Sequence, residues 1–194
     1  MAHINTRNEF PGIVGLMYYK PVMGRAVADL AQAVLRGPSS LTPGERELIA
    51  ARVSKLNNCE FCCTSHSAVA LELLPAHRDS LPSVIDGRSG GDLSPKMQAL
   101  LRIAEKVQQN GRAVQADDIA AAKAAGAPDE EIHDAVIVAA AFCFFNRYVD
   151  GLGTKLPEDR SFYQESGEFL AKSGYKRPSA IGRFFMNRMM RRRT

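Results

Sequence analysis

The sequence predicts an all-α domain, and three observations carry that expectation. Two segments open with a capping residue followed by proline, Thr42-Pro43 and Ser94-Pro95, the order that starts helices. Apolar residues then recur at three- and four-residue intervals, as in Leu48, Ile49, Val53 and Leu56. Strand signals are few, so six or more helices and no sheet are expected.

The elements can be taken in chain order. From about Ile13 to Arg36 the chain is helix-prone, interrupted at Pro21. In "LTPGERELIAARVSKLNN", Thr42 caps, Pro43 takes the first helical position, Glu45 completes a capping box, and Asn57 and Asn58 supply the break. "CEFCCTSHSAVALELL" reads as the next helix, with Cys59 at or beside its N-cap. The Gly/Ser/Asp-rich "LPSVIDGRSGGD" reads as a connection. A helix capped by Ser94 follows, with Gly111 as its terminator, then a short "QADDIAAAKAAG" helix ended by Gly126. Pro128 opens a long helix with Asp129, Glu130 and Glu131 at its positive end. That helix is nearly all apolar from Ala135 to Phe145, so burial on several sides is expected, and Ala139 to Ala141 suit close helix packing or a subunit interface. Cys143 is expected in the core, and Asn146 and Arg147 are expected to serve structure at the end of that run.

A chain of 194 residues, 45% of them hydrophobic, builds one core without disulfide staples. A single domain over residues 1–171 and a basic amphipathic tail over 172–194 are expected. The tail carries eight Lys or Arg and no acid, which leaves 17 basic against 21 acidic residues in the body. A nucleic-acid-binding surface is therefore not expected, because its cations would belong on the folded domain. The tail's Ile181, Phe184, Phe185 and Met189 are expected to pack on a partner subunit rather than on a membrane. No apolar run nears the roughly 18 to 20 residues of a bilayer span, so a soluble protein is expected. "MAHINTRNEFPG" lacks the order of an export signal, which places the expected thiols in a reducing cytoplasm.

The chemistry centres on "CEFCCTSH", which gathers three of four cysteines and one of four histidines. On a helix, Cys59, Cys62 and His66 share one face. A helix start favours the thiolate, the reactive form of cysteine. If the helices on either side of Asn57-Asn58 are antiparallel, Glu47 lies about 15 Å back from the corner and His66 about 10 Å beyond it, so the two face each other. A carboxylate orienting an imidazole that serves a thiol is the logic of an activated nucleophile. Plain packing of the cysteines is a weaker reading. A zinc site would need a fourth ligand, for which Cys63, Glu47 and His77 are poor candidates. His77 and His133 are read as surface or packing residues.

The spacing E-x(11)-C-x-x-C-x-x-x-H, as Glu47, Cys59, Cys62 and His66, resembles the signature of the alkylhydroperoxidase D-like (AhpD-like) proteins of the carboxymuconolactone decarboxylase superfamily. "LTPGERELIAARVSKLNNCEFC" and "FNRYVDGLG" extend the resemblance to its peroxidase-related branch, over about Phe10 to Pro157. The resemblance implies an AhpD-like all-α fold, a trimeric or hexameric homo-oligomer, and peroxide reduction without cofactor or metal. It implies that Cys62 is the peroxidatic thiolate, Cys59 the resolving thiol, and Glu47 and His66 a proton relay. A dithiol donor such as a lipoylated protein would restore the thiols. Phe61 stands where the best-known members have a second histidine, and Cys63 is an extra thiol expected to pack. Two alternatives stay open: a carboxymuconolactone decarboxylase-type lyase, and a non-catalytic disulfide sensor.

Overall fold

The fold was described from a computed structural model, over residues 2–88, 91–157 and 159–176. All regular structure among these residues is helical. Helices α1 (Gly12–Tyr19) and α2 (Pro21–Arg36) meet at Lys20, because Pro21 begins a new helix where it cannot continue the old one. Helix α3 (Pro43–Leu56) starts with the capping box: Thr42 Oγ1 accepts from the Glu45 N–H at 3.2 Å, and Glu45 Oε2 accepts from the Thr42 N–H at 2.7 Å. Helix α4 (Glu60–Leu73) follows directly.

The segment expected to be only a connection contains a short helix, α5 (Leu81–Asp86), whose Leu81, Val84 and Ile85 are buried. Helix α6 (Pro95–Gln109) is capped by Ser94, but Asn110 closes it, and Gly111 instead begins a 3-10 turn to Ala113. Helix α7 (Ala116–Ala124) precedes Gly126, whose φ of +93° favours glycine. The long α8 (Asp129–Gly151) is followed by α9 (Ser161–Ser173), which the sequence reading did not anticipate. The boundary expected between residues 171 and 172 thus falls inside α9, and Tyr175 beyond it packs against the core. The expected tail contacts of Ile181, Phe184, Phe185 and Met189 lie outside the described residues.

Helix α3 is the hub. Every residue from Arg46 to Ser54 is buried, so it is enclosed on all sides, by α2, α4, α5, α6 and α8. Helix α9 covers α4, and Gly167 permits that approach: a Cβ there would stand 2.9 Å from the Ala68 Cβ. Helix α8 buries Ala135, Val138, Ala139, Phe142 and Phe145, yet Ile137 and Phe144 remain 39% and 49% exposed, so its burial is less complete than the apolar run suggests. By length and composition its 23 residues could cross a membrane, but half of its most apolar stretch is buried inside this domain.

The α3–α4 corner sets up the site. Asn58 takes a left-handed conformation, φ +58°. The Asn58 N–H bonds the Lys55 carbonyl and the Cys59 N–H bonds the Ser54 carbonyl at 3.0 Å, a Schellman closure. Asn57 ties this corner to α8 and α6, donating to Asn146 Oδ1 at 2.8 Å and accepting from Gln108 Nε2 at 2.9 Å. Asn146 is wholly buried and also donates to Ser54 Oγ at 3.1 Å, which is the structural role expected of it. Arg147 is exposed and bonds the Cys143 carbonyl.

Candidate active site

The corner delivers Cys59 as the N-cap residue of α4 and Cys62 in its first turn, both buried. The two thiols belong to one buried cluster. Interaction with the neighbouring Cys62 thiol, followed by burial and with the Asp150 carboxylate adding to it, holds the Cys59 thiol far above the ordinary thiol range. Around them stand Phe61, Val149 and Tyr163, with Ile13 and Phe162 packed against the cluster. The Tyr163 hydroxyl is buried with no hydrogen-bond partner among the described residues, and burial, then the Glu60 charge, pushes its pKa up to about 12. Cys63 packs against the main core instead. Burial raises its pKa, and its neighbours are Ser67 and Lys55. Cys143 is half-buried, 3.7 Å from Asn57 Nδ2.

One turn beyond Cys62, His66 meets Glu47. His66 Nδ1 lies 2.6 Å from Glu47 Oε2, a contact that fixes the ring proton on Nδ1 and leaves Nε2 as the nitrogen open to a reacting group. Glu47 is wholly buried inside α3, so its charge must be matched locally. Two residues that the sequence did not single out do this. Arg36, at the last turn of α2, places Nη1 at 2.7 Å from Glu47 Oε1, and its side chain is only 10% exposed. Tyr175, just past α9, donates its hydroxyl to the same oxygen at 2.9 Å and lies 3.1 Å from His66 Nδ1. Burial, then the Glu47 charge, keeps that phenol protonated well above its ordinary range. Phe142 of α8 packs edge-on to the imidazole with ring centroids 4.5 Å apart.

A cavity of about 280 Å³ opens beside these groups. Its wall is mostly apolar, with Ile13, Met17, Phe61, Phe162 and Leu170, while Ser65, His66, Ser166, Tyr175 and Lys176 are its polar lining residues. Phe61 and Phe162 belong both to this wall and to the cluster around the thiols. The Phe61 ring lies so close to Gly12 that a Cβ there would meet it at 2.3 Å, and the φ of +54° at Gly12 likewise favours glycine.

Of the sequence candidates, the structure therefore brings Cys59 to Cys62 and Glu47 to His66, and it joins the pairs through the first turns of α4. His77 sits 2.9 Å from Asp92 and His133 is exposed beside Asp134, both away from this centre. Among the described residues no group of three or more His, Cys, Asp or Glu is placed to hold one metal ion.

Comparison with known proteins agrees with this architecture. Residues 21–106 match the model of the carboxymuconolactone decarboxylase family. No curated protein sequence matches. Among solved structures, an uncharacterised peroxidase-related protein from Ralstonia eutropha JMP134, described as an alkylhydroperoxidase AhpD core, aligns with a TM-score of 0.72 at 25% identity, covering 81% of this chain and 80% of its own. A peroxidase-related protein from Silicibacter sp. TM1040 aligns at 0.71 and 21% identity over 79% of this chain and 78% of its own. A protein of unknown function from Agrobacterium tumefaciens, described as a candidate antioxidant defence protein AhpD, aligns at 0.62 and 21% identity over 82% of this chain and 100% of its own. The matched family segment contains Arg36, Glu47, Cys59, Cys62 and His66, and with a fold like that of the AhpD core around it the chain is similar to the AhpD-like proteins of the carboxymuconolactone decarboxylase superfamily.

Proposed function

We propose that this protein is a thiol-dependent peroxidase that reduces organic hydroperoxides. The observation that carries the reading is the buried Cys59–Cys62 pair at the start of the same helix that presents His66 to the buried Glu47. In this reading the Cys62 thiol gives its proton to His66 Nε2, and its thiolate attacks the terminal peroxide oxygen. The O–O bond breaks, the alkoxide takes the proton back from His66 and leaves as the alcohol, and Cys62 becomes a sulfenic acid. The Cys59 sulfur then displaces water from that sulfenic acid, its own proton going with the leaving hydroxide, and a Cys59–Cys62 disulfide forms. An external dithiol, such as a lipoylated protein, exchanges with the disulfide and is itself oxidised. The sum is one hydroperoxide and one dithiol converted to alcohol, water and a disulfide.

The Cys59 thiol suits the resolving role, because the neighbouring Cys62 thiol and burial hold it protonated while Cys62 reacts. The apolar cavity suits the hydrocarbon body of an organic hydroperoxide, with His66 in its wall. The lyase chemistry for which the family is named has no use for paired thiols.

The test is intact mass and free-thiol count before and after one equivalent of cumene hydroperoxide, with peptide mapping. Loss of two thiols to a Cys59–Cys62 bridge is expected, with Cys63 and Cys143 remaining free. Four unreacted thiols would remove the peroxidase reading. A bridge that forms once, with no dithiol sustaining consumption, would instead favour the sensor.

The homo-oligomer implied by the resemblance, a trimer or hexamer, is proposed to use the exposed stripe of α8 around Ile137 and Phe144. Sedimentation of the native protein is expected to give such a species and Phe144→Asp a smaller one. A native monomer at micromolar concentration would remove the proposal.

A further inference from the structure

We infer that Tyr175 is a positioning residue of the Glu47–His66 pair, planted there by Gly174 and Gln32, so that the end of α9 completes the site. The inference rests on the reading above only in assuming that His66 serves Cys62. Three observations carry it. The Tyr175 hydroxyl reaches both members of the pair, at 2.9 Å from Glu47 Oε1 and 3.1 Å from His66 Nδ1. Its backbone is fixed as well: the Tyr175 N–H donates to Gln32 Oε1 at 2.7 Å. Gly174 has φ +64° and ψ −156°, a region open essentially to glycine alone. A Cβ at Gly174 would also stand 2.8 Å from Gln32 Oε1 and 3.2 Å from the Arg36 Cγ. Chain direction, backbone anchor and side-chain contact therefore serve one placement.

Around the imidazole, α3 contributes Glu47, with Arg46 close behind it, and α2 contributes Arg36. Cys62 lies on His66's own helix, and Lys176 stands at the cavity wall. Helix α8 presents the uncharged Phe142, and α9 its Leu170 and Ser166. Within that set Tyr175 shares the Glu47 charge with Arg36. It takes up part of the carboxylate's hydrogen-bonding capacity, and this limits how tightly Glu47 holds the proton on His66 Nδ1. The aromatic ring has separate contacts, stacking on His66 and lying 5.1 Å from the Arg36 guanidinium. Hydroxyl and ring can thus be told apart by substitution.

The experiment uses the full chain and compares native protein, Tyr175→Phe, Gly174→Ala and His66→Gln. The first readout is the Hδ1 proton of His66 by NMR, which does not depend on any reaction with peroxide. In Tyr175→Phe it is expected to move downfield, because Glu47 then concentrates its charge on that one proton. The second readout is the pH profile of Cys62 alkylation by iodoacetamide, followed by mass. The limb that disappears in His66→Gln is expected to move to higher pH by about half a unit in Tyr175→Phe. Gly174→Ala, which displaces the whole residue, is expected to perturb both readouts; where it fails to fold, Tyr175→Phe decides alone. An Hδ1 signal and profile unchanged in Tyr175→Phe would overturn the inference and reduce Tyr175 to packing. A profile indifferent to His66→Gln, with the Hδ1 signal still shifted, would instead overturn the assignment of His66 to Cys62 and leave Tyr175 on the pair.

Discussion

Cys62→Ser is expected to abolish hydroperoxide turnover, lowering kcat/KM by at least about a thousandfold, the scale seen when a covalent nucleophile is removed. A serine hydroxyl does not ionise under conditions where a thiol reacts, and it cannot pass through a sulfenic acid to a disulfide. Cys59→Ser should behave differently. Its Cys62 can still be oxidised, so one equivalent of hydroperoxide is consumed and a sulfenic acid accumulates. Without a resolving sulfur the dithiol donor has no Cys59–Cys62 disulfide to reduce, and turnover stalls. Burst stoichiometry separates the two variants: none for Cys62→Ser and one per chain for Cys59→Ser. Full activity in Cys62→Ser would show the attacking thiol to be misassigned. Cys63, on the core side of α4 beside Ser67 and Lys55, is a natural control, and Cys63→Ser is expected to leave the burst at one per chain.

What the sequence could reveal about this centre follows from how local each contact is. Thr42, Pro43 and Glu45 announce the start of α3, and Asn57-Asn58 its end, through hydrogen bonds spanning a few residues. Because α3 and α4 are joined by that short corner, helical rise alone brings Glu47 opposite His66. Arg36 and Tyr175 obey no such short rule. Tyr175 is 109 residues from His66 along the chain, and its placement depends on how α9 lies over α4. Helix α9 itself was obscured by Gly167, which reads as a weak helix residue but here lets α9 approach Ala68. Gly111 misled in the opposite sense: it resembles a C-terminal stop, yet Asn110 ends α6 and caps the next turn, accepting from the Arg112 N–H. The partial exposure of α8 was hidden too, since composition gives Ile137 and Phe144 the same apolar character as Phe142.

Arg36→Met is expected to cost the most stability. The substitution keeps much of the side chain's apolar volume and removes the cation, leaving the wholly buried Glu47 with its His66 and Tyr175 contacts but without its guanidinium partner. Breaking a buried pair from one side costs about 3–5 kcal/mol. In a chain of this size that corresponds to a fall in Tm on the order of 10 °C. Two carbonyl contacts are lost as well, to Leu35 at 2.9 Å and Leu170 at 3.3 Å, the second of which ties α2 to α9. Stability and chemistry should then separate in the double variant. Arg36→Met with Glu47→Leu removes both charges, so much of the lost Tm is expected to return, because the stranded carboxylate rather than a missing attraction dominates the single substitution. Peroxidase activity should not return with it, since His66 has lost the carboxylate that fixes its Nδ1 proton. A double variant no more stable than Arg36→Met would mean that the carbonyl contacts of Arg36, and not its charge, hold α2 against the rest of the fold.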